Sequence, residues 1–311
     1  MIDRMSRVIT IKHYGLISVT GADRKEFLQN QFTSDINSLG NLSARPFGYC
    51  SVKGRLCATG IIININDEGQ YLIFIKKTNV DSFINRIARY ILRSKVEIKI
   101  SVKKSIYGIM ADNFSERLKE SLFNNSEVEF KVAKHYPYEV IGLPDGRFVL
   151  ICSENSSIND FSKRFKLSVN PASENEWELS NIENGIVNIT PAIEDLLLPQ
   201  SINFQQHGGV SFKKGCYPGQ EIIARTHYLG KIKRNLYRAN AIENVDIGEA
   251  VFDCSSQKQI GLVVALAQRD DKTFALLAVI NRSEESVSGF MYGANKKKII
   301  LNNLYKVESS K

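Results

Sequence analysis

Two hydrophobic periods alternate along this chain up to about residue 235, and beyond it only one of them persists. A period of two puts alternate side chains on one face of a strand. A period near 3.6 lays a stripe along a helix, so a chain that interleaves the two must pack sheet against helix. Leu16-Ile17-Ser18-Val19 reads as a strand and leads through Gly21-Ala22 into a helix starting at Asp23. Asp23 with Glu26 three residues on has the spacing of a capping box, and Leu28 with Phe32 at i, i+4 supplies the buried stripe. Ile61 to Ile65 and Tyr71 to Ile75 flank Asn66-Asp67-Glu68-Gly69 as the arms of a hairpin. Val80, Phe83, Ile84, Ile87 and Ile91 recur at helical spacing and predict a helix over 79–93.

Val96 to Val102 returns to alternation, and short strands continue to about residue 152 with a hairpin at Leu143-Pro144-Asp145-Gly146. A further helix begins near Ser173, which pairs with Glu176 as a second capping box, and stops at Gly185. Past residue 235 come Val251-Phe252, Ile260 to Leu266, Phe274 to Ile280 and Ile299 to Leu301, short apolar strands between polar turns that predict a small all-β domain. The fold class is therefore α+β. A length of 311 residues suits two or three domains, and 43% hydrophobic with 24% charged residues is enough for the whole chain to fold. Boundaries are expected at 1–110, 111–234 and 235–311.

The N-terminal MIDRMSRVITIKHYG has no uninterrupted apolar segment, and no later run is long enough to cross a bilayer, so a cytoplasmic protein without membrane attachment is expected. Five cysteines, Cys50, Cys57, Cys152, Cys216 and Cys254, are odd in number, scattered, and free of any C-x-x-C or Cys/His cluster. With four histidines besides, this argues against a structural zinc site and for a reducing compartment.

Net charge is +8, and much of it is local. Lys213, Lys214, Arg225, Lys231, Lys233, Arg234 and Arg238 stand against one acid, Glu221, for a net of +6 between residues 213 and 238. Such a run is either a solvated basic face or a surface that receives an anion, whether a polyanionic ligand tail or RNA phosphates.

The same stretch holds the densest motif. Gly215 and Gly219 bracket Cys216, which permits tight turning and close approach. Gln220 to Tyr228 reads as a helix closed by Gly230, so Cys216 falls just before a helix N-terminus and next in sequence to Lys213 and Lys214. A dipole's positive end and neighbouring ammonium groups favour thiolate, which predicts Cys216 as the most reactive of the five thiols. The alternative is a structural cysteine in a glycine-rich turn.

Lys214-Gly215-Cys216-Tyr217-x-Gly219-Gln220-Glu221 resembles the K-G-C-Y-x-G-Q-E signature of the YgfZ proteins, a bacterial tRNA-modifying, folate-binding group whose mitochondrial relatives assist iron–sulfur assembly. Pro218 falls at the variable position. The resemblance extends through Pro199-Gln200-x-x-Asn203, Gly208-Gly209, Ala224-Arg225 and the N-terminal Thr20-Gly21-Ala22-Asp23. It implies an aminomethyltransferase-like three-domain architecture ending in an antiparallel β-barrel. It also implies folate, as tetrahydrofolate or a derivative, held by two aromatic residues that fall on Tyr14 and Trp177, Tyr14 standing where enterobacterial members usually have tryptophan. Glu183 resembles the glutamate that pairs with the pterin edge in aminomethyltransferases, where a carboxylate accepts two parallel N–H bonds. A pterin is flat and polar at its rim, which suits an aromatic face with polar partners. Read without the resemblance, Trp177 is as well a core anchor and Glu183 a solvated helix-end residue.

The implied function is that of a folate-binding accessory protein supporting tRNA modification and iron–sulfur enzyme maintenance, in which Cys216 meets an iron–sulfur or tRNA-modifying enzyme partner. Two alternatives stand beside it. A tetrahydrofolate-dependent aminomethyltransferase needs an aspartate pair early in the chain, and the segment that looks equivalent, Lys53-Gly54-Arg55-Leu56-Cys57-Ala58, has none. A tRNA-binding module is allowed by the basic run, although no RNP or KH signature specifies direct tRNA contact.

Overall fold

The computed structural model describes residues 6–65, 69–110, 114–124, 127–230, 234–243, 245–253, 256–281, 290–292 and 298–306. In chain order these form β1 (Ser6–Thr10), β2 (Tyr14–Thr20), α1 (Arg24–Gln29), β3 (Ser43–Cys50), β4 (Leu56–Asn64), β5 (Tyr71–Lys76), α2 (Val80–Ile87), β6 (Glu97–Ile100), β7 (Ser105–Met110) and α3 (Phe114–Phe123). There follow β8 (Val132–His135), β9 (Tyr138–Gly142), β10 (Phe148–Cys152), α4 (Ile158–Arg164), β11 (Val169–Ala172), α5 (Glu174–Glu183) and α6 (Gln220–Tyr228). The rest is β: β12 (Arg234–Ala241), β13 (Ala250–Asp253), β14 (Gln259–Gln268), β15 (Phe274–Asn281), β16 (Phe290–Tyr292) and β17 (Lys298–Lys306). Two compact units result, the first from residues 1–29, 36–46 and 60–177, the second from 30–35, 47–59 and 178–311.

In the first unit a six-stranded sheet runs β11-β1-β7-β10-β9-β8, antiparallel except where β1 lies parallel to β11. A second sheet has the order β3-β4-β5-β2-β6, of which β5, β2, β6, residues 43–46 of β3 and residues 60–64 of β4 belong to this unit. The strands β9 and β10 are buried along their whole length; β10 is an unbroken apolar run, and in β9 the one charged residue, Glu139, is paired with the Lys104 ammonium at 3.0 Å. Alternation still sorts their side chains. Phe148, Leu150 and Cys152 face a core with Phe161 of α4 and Leu122 and Phe123 of α3. Val149 and Ile151 face the other way, toward Leu16, Leu72, Phe74 and Trp177.

In the second unit the strand order β12-β15-β14-β13-β16-β17 closes on itself, β17 pairing back with β12. Leu276, Ala278 and Ile280 of β15 pack with Tyr237, Ala239 and Val263, whereas Ala275, Leu277 and Val279 pack with Leu56, Ile189, Ile202 and Ile223.

Several local readings hold. The β4–β5 hairpin and the β9–β10 hairpin both form, pairing Asn64 with Tyr71 and Gly142 with Phe148, although Asn66, Asp67 and Glu68 lie outside the described residues. At α5, Ser173 Oγ accepts from the Glu176 N–H at 3.3 Å while the Glu176 carboxylate accepts from the Ser173 N–H at 3.1 Å, a complete capping box. The helix ends on Gly185 at φ +68, with the Gly185 N–H donating to Ile182 and the Ile186 N–H to Asn181, the paired bonds of a Schellman motif.

Three local readings are corrected. Asp23 caps through the chain rather than the helix: its Oδ2 accepts from the Lys95 N–H at 2.7 Å. Helix α1 stops at Gln29, whose Oε1 takes the N–H groups of Ile36 and Asn37, so Phe32 leaves the helical stripe and stacks on Phe47 at 4.1 Å. The predicted 79–93 helix is α-helical only over Val80–Ile87 before a 3₁₀ turn at Ala88–Tyr90. Its buried residues are Val80, Phe83 and Ile87; past them the side chains of the 3₁₀ turn find no core to hold a longer helix.

Burial has a consequence at alkaline pH. The Cys152 thiol, enclosed in the first unit's core, is pushed up from 9.0 to about 12 by desolvation. The unfolded thiol ionises near 9 and the folded one does not, so stability is full below pH 9 and falls as pH rises toward 12, by on the order of 4 kcal/mol from this group. Urea midpoints between pH 8.5 and 11.5, a range of about three units, should fall less steeply for Cys152→Ala than for the parent; parallel curves would refute the assignment.

Candidate functional site

The K-G-C-Y-P-G-Q-E segment is built as a pedestal with one free group. Lys214 turns inward, and its ammonium donates to the carbonyls of Phe32 at 2.5 Å and Ser34 at 3.1 Å. Desolvation lowers it to about 8, with Asp35 pulling the other way. Tyr217 is buried, its ring 5.1 Å from the Lys214 Nζ, and burial pushes its phenol up. Gln220 returns to the loop, its Nε2 donating to the Lys214 carbonyl at 3.3 Å. Gly219 caps α6 at φ +78 and presses on the turn that contains Gly54, where an added Cβ would lie 2.4 Å from the Gly54 Cα. Gly215 borders open space. Glu221 is solvated, with Arg225 one turn on at 3.5 Å, a pair of small energetic weight.

What remains is Cys216, exposed, while Cys50, Cys57 and Cys152 are buried. Cys254 lies outside the described residues. The Lys214 ammonium, expected beside the thiol, is turned inward to two main-chain carbonyls. Lys213 is exposed. Helix α6 starts four residues after Cys216, at Gln220, and a helix dipole acts chiefly within its terminal turn. Of the basic run, Lys231 and Lys233 lie outside the described residues.

Tyr14 and Trp177 meet in one core of the first unit. Tyr14 stacks on Phe74 at 4.5 Å and 7°, with the Lys76 ammonium 4.3 Å from its centroid. Trp177 is 3% exposed. The Arg147 guanidinium lies 4.1 Å from its ring centroid, fixed by Asp145 and by donation to the Trp177 carbonyl. Its ring is accommodated by the bare Cα of Gly108, where a Cβ would come within 2.6 Å. Both rings thus serve as core anchors carrying a cation. Glu183, in the second unit, keeps a side chain 55% exposed, its carboxylate 3.8 Å from Arg269 and its main-chain carbonyl accepting from Arg238. As a bidentate acceptor for a pterin edge Glu183 fits; the aromatic rings fit only where Lys76 or Arg147 gives way.

One residue escapes sequence reading. Asp195 holds a left-handed conformation at φ +57, accepts from Ser51 Oγ at 2.6 Å, and offers its main-chain carbonyl to Arg55 at 3.3 Å. It brings a carboxylate to the Lys53–Ala58 turn that has none of its own, and no local pattern announces a partner 144 residues away. Among the described residues no group of three or more His, Cys, Asp or Glu is placed to hold a metal ion, and no helix is long and apolar enough to cross a membrane.

No family model matches the chain. Curated relatives do. The tRNA-modifying protein YgfZ of Vibrio vulnificus is 31% identical over 240 residues, covering 76% of this chain and 71% of that protein. The protein of the same name from Aliivibrio fischeri is 28% identical over 283 residues, 89% of this chain and 86% of the relative. The one from Hamiltonella defensa is 29% identical over 282 residues, 88% and 83%. Among solved structures, the glycine cleavage system aminomethyltransferase T of Bartonella henselae superposes with a TM-score of 0.69 at 12% identity over 95% of this chain and 84% of that one, a likeness of fold.

Proposed function

Since the chain belongs to the YgfZ family, we propose that it is a cytoplasmic folate-binding accessory protein that supports tRNA modification and the maintenance of iron–sulfur enzymes, with Cys216 as the group that meets its partner. The observation that carries this reading is the division of labour in the motif. Lys214, Tyr217, Gly219 and Gln220 are used up in holding the loop, and the thiol they present is left at the surface. A thiol so presented can ligate iron transiently or exchange with another thiol of a docked protein. The likeness to an aminomethyltransferase supports a three-part architecture with portions at 1–110, 111–234 and 235–311, the last a small antiparallel barrel.

Folate is the proposed ligand, with Tyr14, Trp177 and Glu183 as its contacts. Glu183 supplies an exposed carboxylate for the pterin's N–H edge, and the two rings supply apolar surface once their covering cations move. Trp177 is the only tryptophan, so tryptophan emission, excited selectively over the tyrosines, reports on this core alone. Titration with tetrahydrofolate is expected to quench it, and Glu183→Ala to weaken the titration about tenfold, the worth of one charge-assisted hydrogen-bonded edge. Emission indifferent to tetrahydrofolate at millimolar concentration would remove folate from the proposal.

A further inference from the structure

A cleft of about 560 Å³ opens within the second unit. Its rim carries Lys53 and Arg55 from the turn between β3 and β4 and Arg234 from the start of β12, all exposed. Among the described residues none of the three is in an ion pair; Arg55 donates only to the Asp195 carbonyl. Three like charges around one opening repel one another unless an anion enters; no acid is among the lining residues, and the neighbouring Asp195 carboxylate is engaged by Ser51 Oγ.

The walls add two features. Leu198 and Ile222 give an apolar surface, Ile222 being 41% exposed. Gln200, 1% exposed, donates through Nε2 to the Ile223 carbonyl at 2.7 Å, while its Oε1 has no hydrogen-bond partner. An acceptor lacking a donor beside uncompensated cations matches a ligand that presents a hydroxyl next to an anion.

Helix α6, which contributes Ile222 and Thr226 to the cleft, ends on the exposed rings of His227 and Tyr228. Phe212 stacks on His227 at 3.7 Å and 11°, Tyr228 meets His227 edge-on at 4.8 Å, and Tyr228 is 66% exposed. Exposed rings next to a cationic groove are the recurring parts of a single-strand nucleic-acid site, where bases stack on rings and phosphates track the charges.

We infer that this cleft binds a ribose-phosphate segment of single-stranded RNA, with Lys53, Arg55 and Arg234 on the phosphodiester, Leu198 and Ile222 against the sugar, and Tyr228 under a base. The inference rests on the tRNA-related part of the proposed function for its choice of polyanion and does not use the folate assignment. A phosphorylated or acidic peptide would satisfy the cations but not the rings.

The test is fluorescence anisotropy of the full chain with a labelled ten-nucleotide RNA at several salt concentrations, ten being about one groove's length of strand. Lys53→Ala, Arg55→Ala and Arg234→Ala are each expected to lower the slope of log affinity against log salt by about 0.7, the increment for one phosphate contact on a single strand. Tyr228→Ala is expected to weaken binding about tenfold at unchanged slope. Lys99→Ala and Lys103→Ala, surface cations of the first unit, should change neither. Equal affinity for duplex RNA, for DNA of the same sequence, for a mononucleotide or for polyglutamate would overturn the inference, as would an unaltered slope in the triple cleft variant. Trp177 emission with tetrahydrofolate, read on the same variants, separates loss of this site from failure of the folate proposal.

Discussion

Cys216→Ala is expected to reduce tRNA modification in cells to the level seen without the protein, while leaving the folded chain untouched. The side chain is exposed, and no neighbour in the motif depends on its sulfur for a hydrogen bond. Surface substitutions of that kind move stability by less than about 0.5 kcal/mol. The urea midpoint and the tetrahydrofolate titration should therefore match the parent, and only the cellular readout should fall. Serine at the same position should fail equally, because an alcohol neither ligates iron nor exchanges with thiols under these conditions. Full complementation by either variant would end the claim that the thiol is the working group and leave the motif as scaffold alone.

The second large effect falls three residues on. Gly219→Ala is expected to cost about 3 kcal/mol or more and to lose function with Cys216 intact. The left-handed conformation at φ +78 alone disfavours a side chain by about 1–2 kcal/mol. The added Cβ would also sit 2.4 Å from the Gly54 backbone and 2.5 Å from the Ser51 carbonyl, and backbone cannot rotate out of the way. The turn around Gly54 or the start of α6 must shift, and with either goes the position of the thiol. Gly215→Ala provides the contrast within the same motif. A Cβ there meets nothing within 4 Å, so its midpoint should stay within about 0.5 kcal/mol of the parent. Chemical denaturation of the pair checks both, and equal stability of the two variants would show that the contact between the Gly219 and Gly54 turns is not as described.

These two glycines look alike in the sequence, which illustrates where reading residues in order runs out. The motif marked the loop and singled out Cys216, because the residue types stand consecutively. Lys214 was read only as a charge near Cys216; that its side chain reaches carbonyls 180 and 182 residues away had no local sign. Tyr14 and Trp177 were visible as aromatic candidates. Their enclosure by Phe74, Lys76, Arg147 and Gly108 was not, since those partners come from separate strands and turns. Asp195 had no local signal at all.

What the sequence determined by itself was everything governed by interactions within a few residues or by repetition along one element: the two hairpins, the Ser173 capping box and its glycine stop at Gly185, the α+β alternation, the later all-β run, and the cysteine-bearing motif. What only the tertiary structure decided was which polar groups face water and which are consumed inside. That choice governs the inward turn of Lys214, the freedom of Cys216, and the gathering of Lys53, Arg55 and Arg234 at one cleft. The reason is physical: desolvation and hydrogen-bond satisfaction depend on atoms brought together across the whole chain, and spacing along the chain holds no record of them.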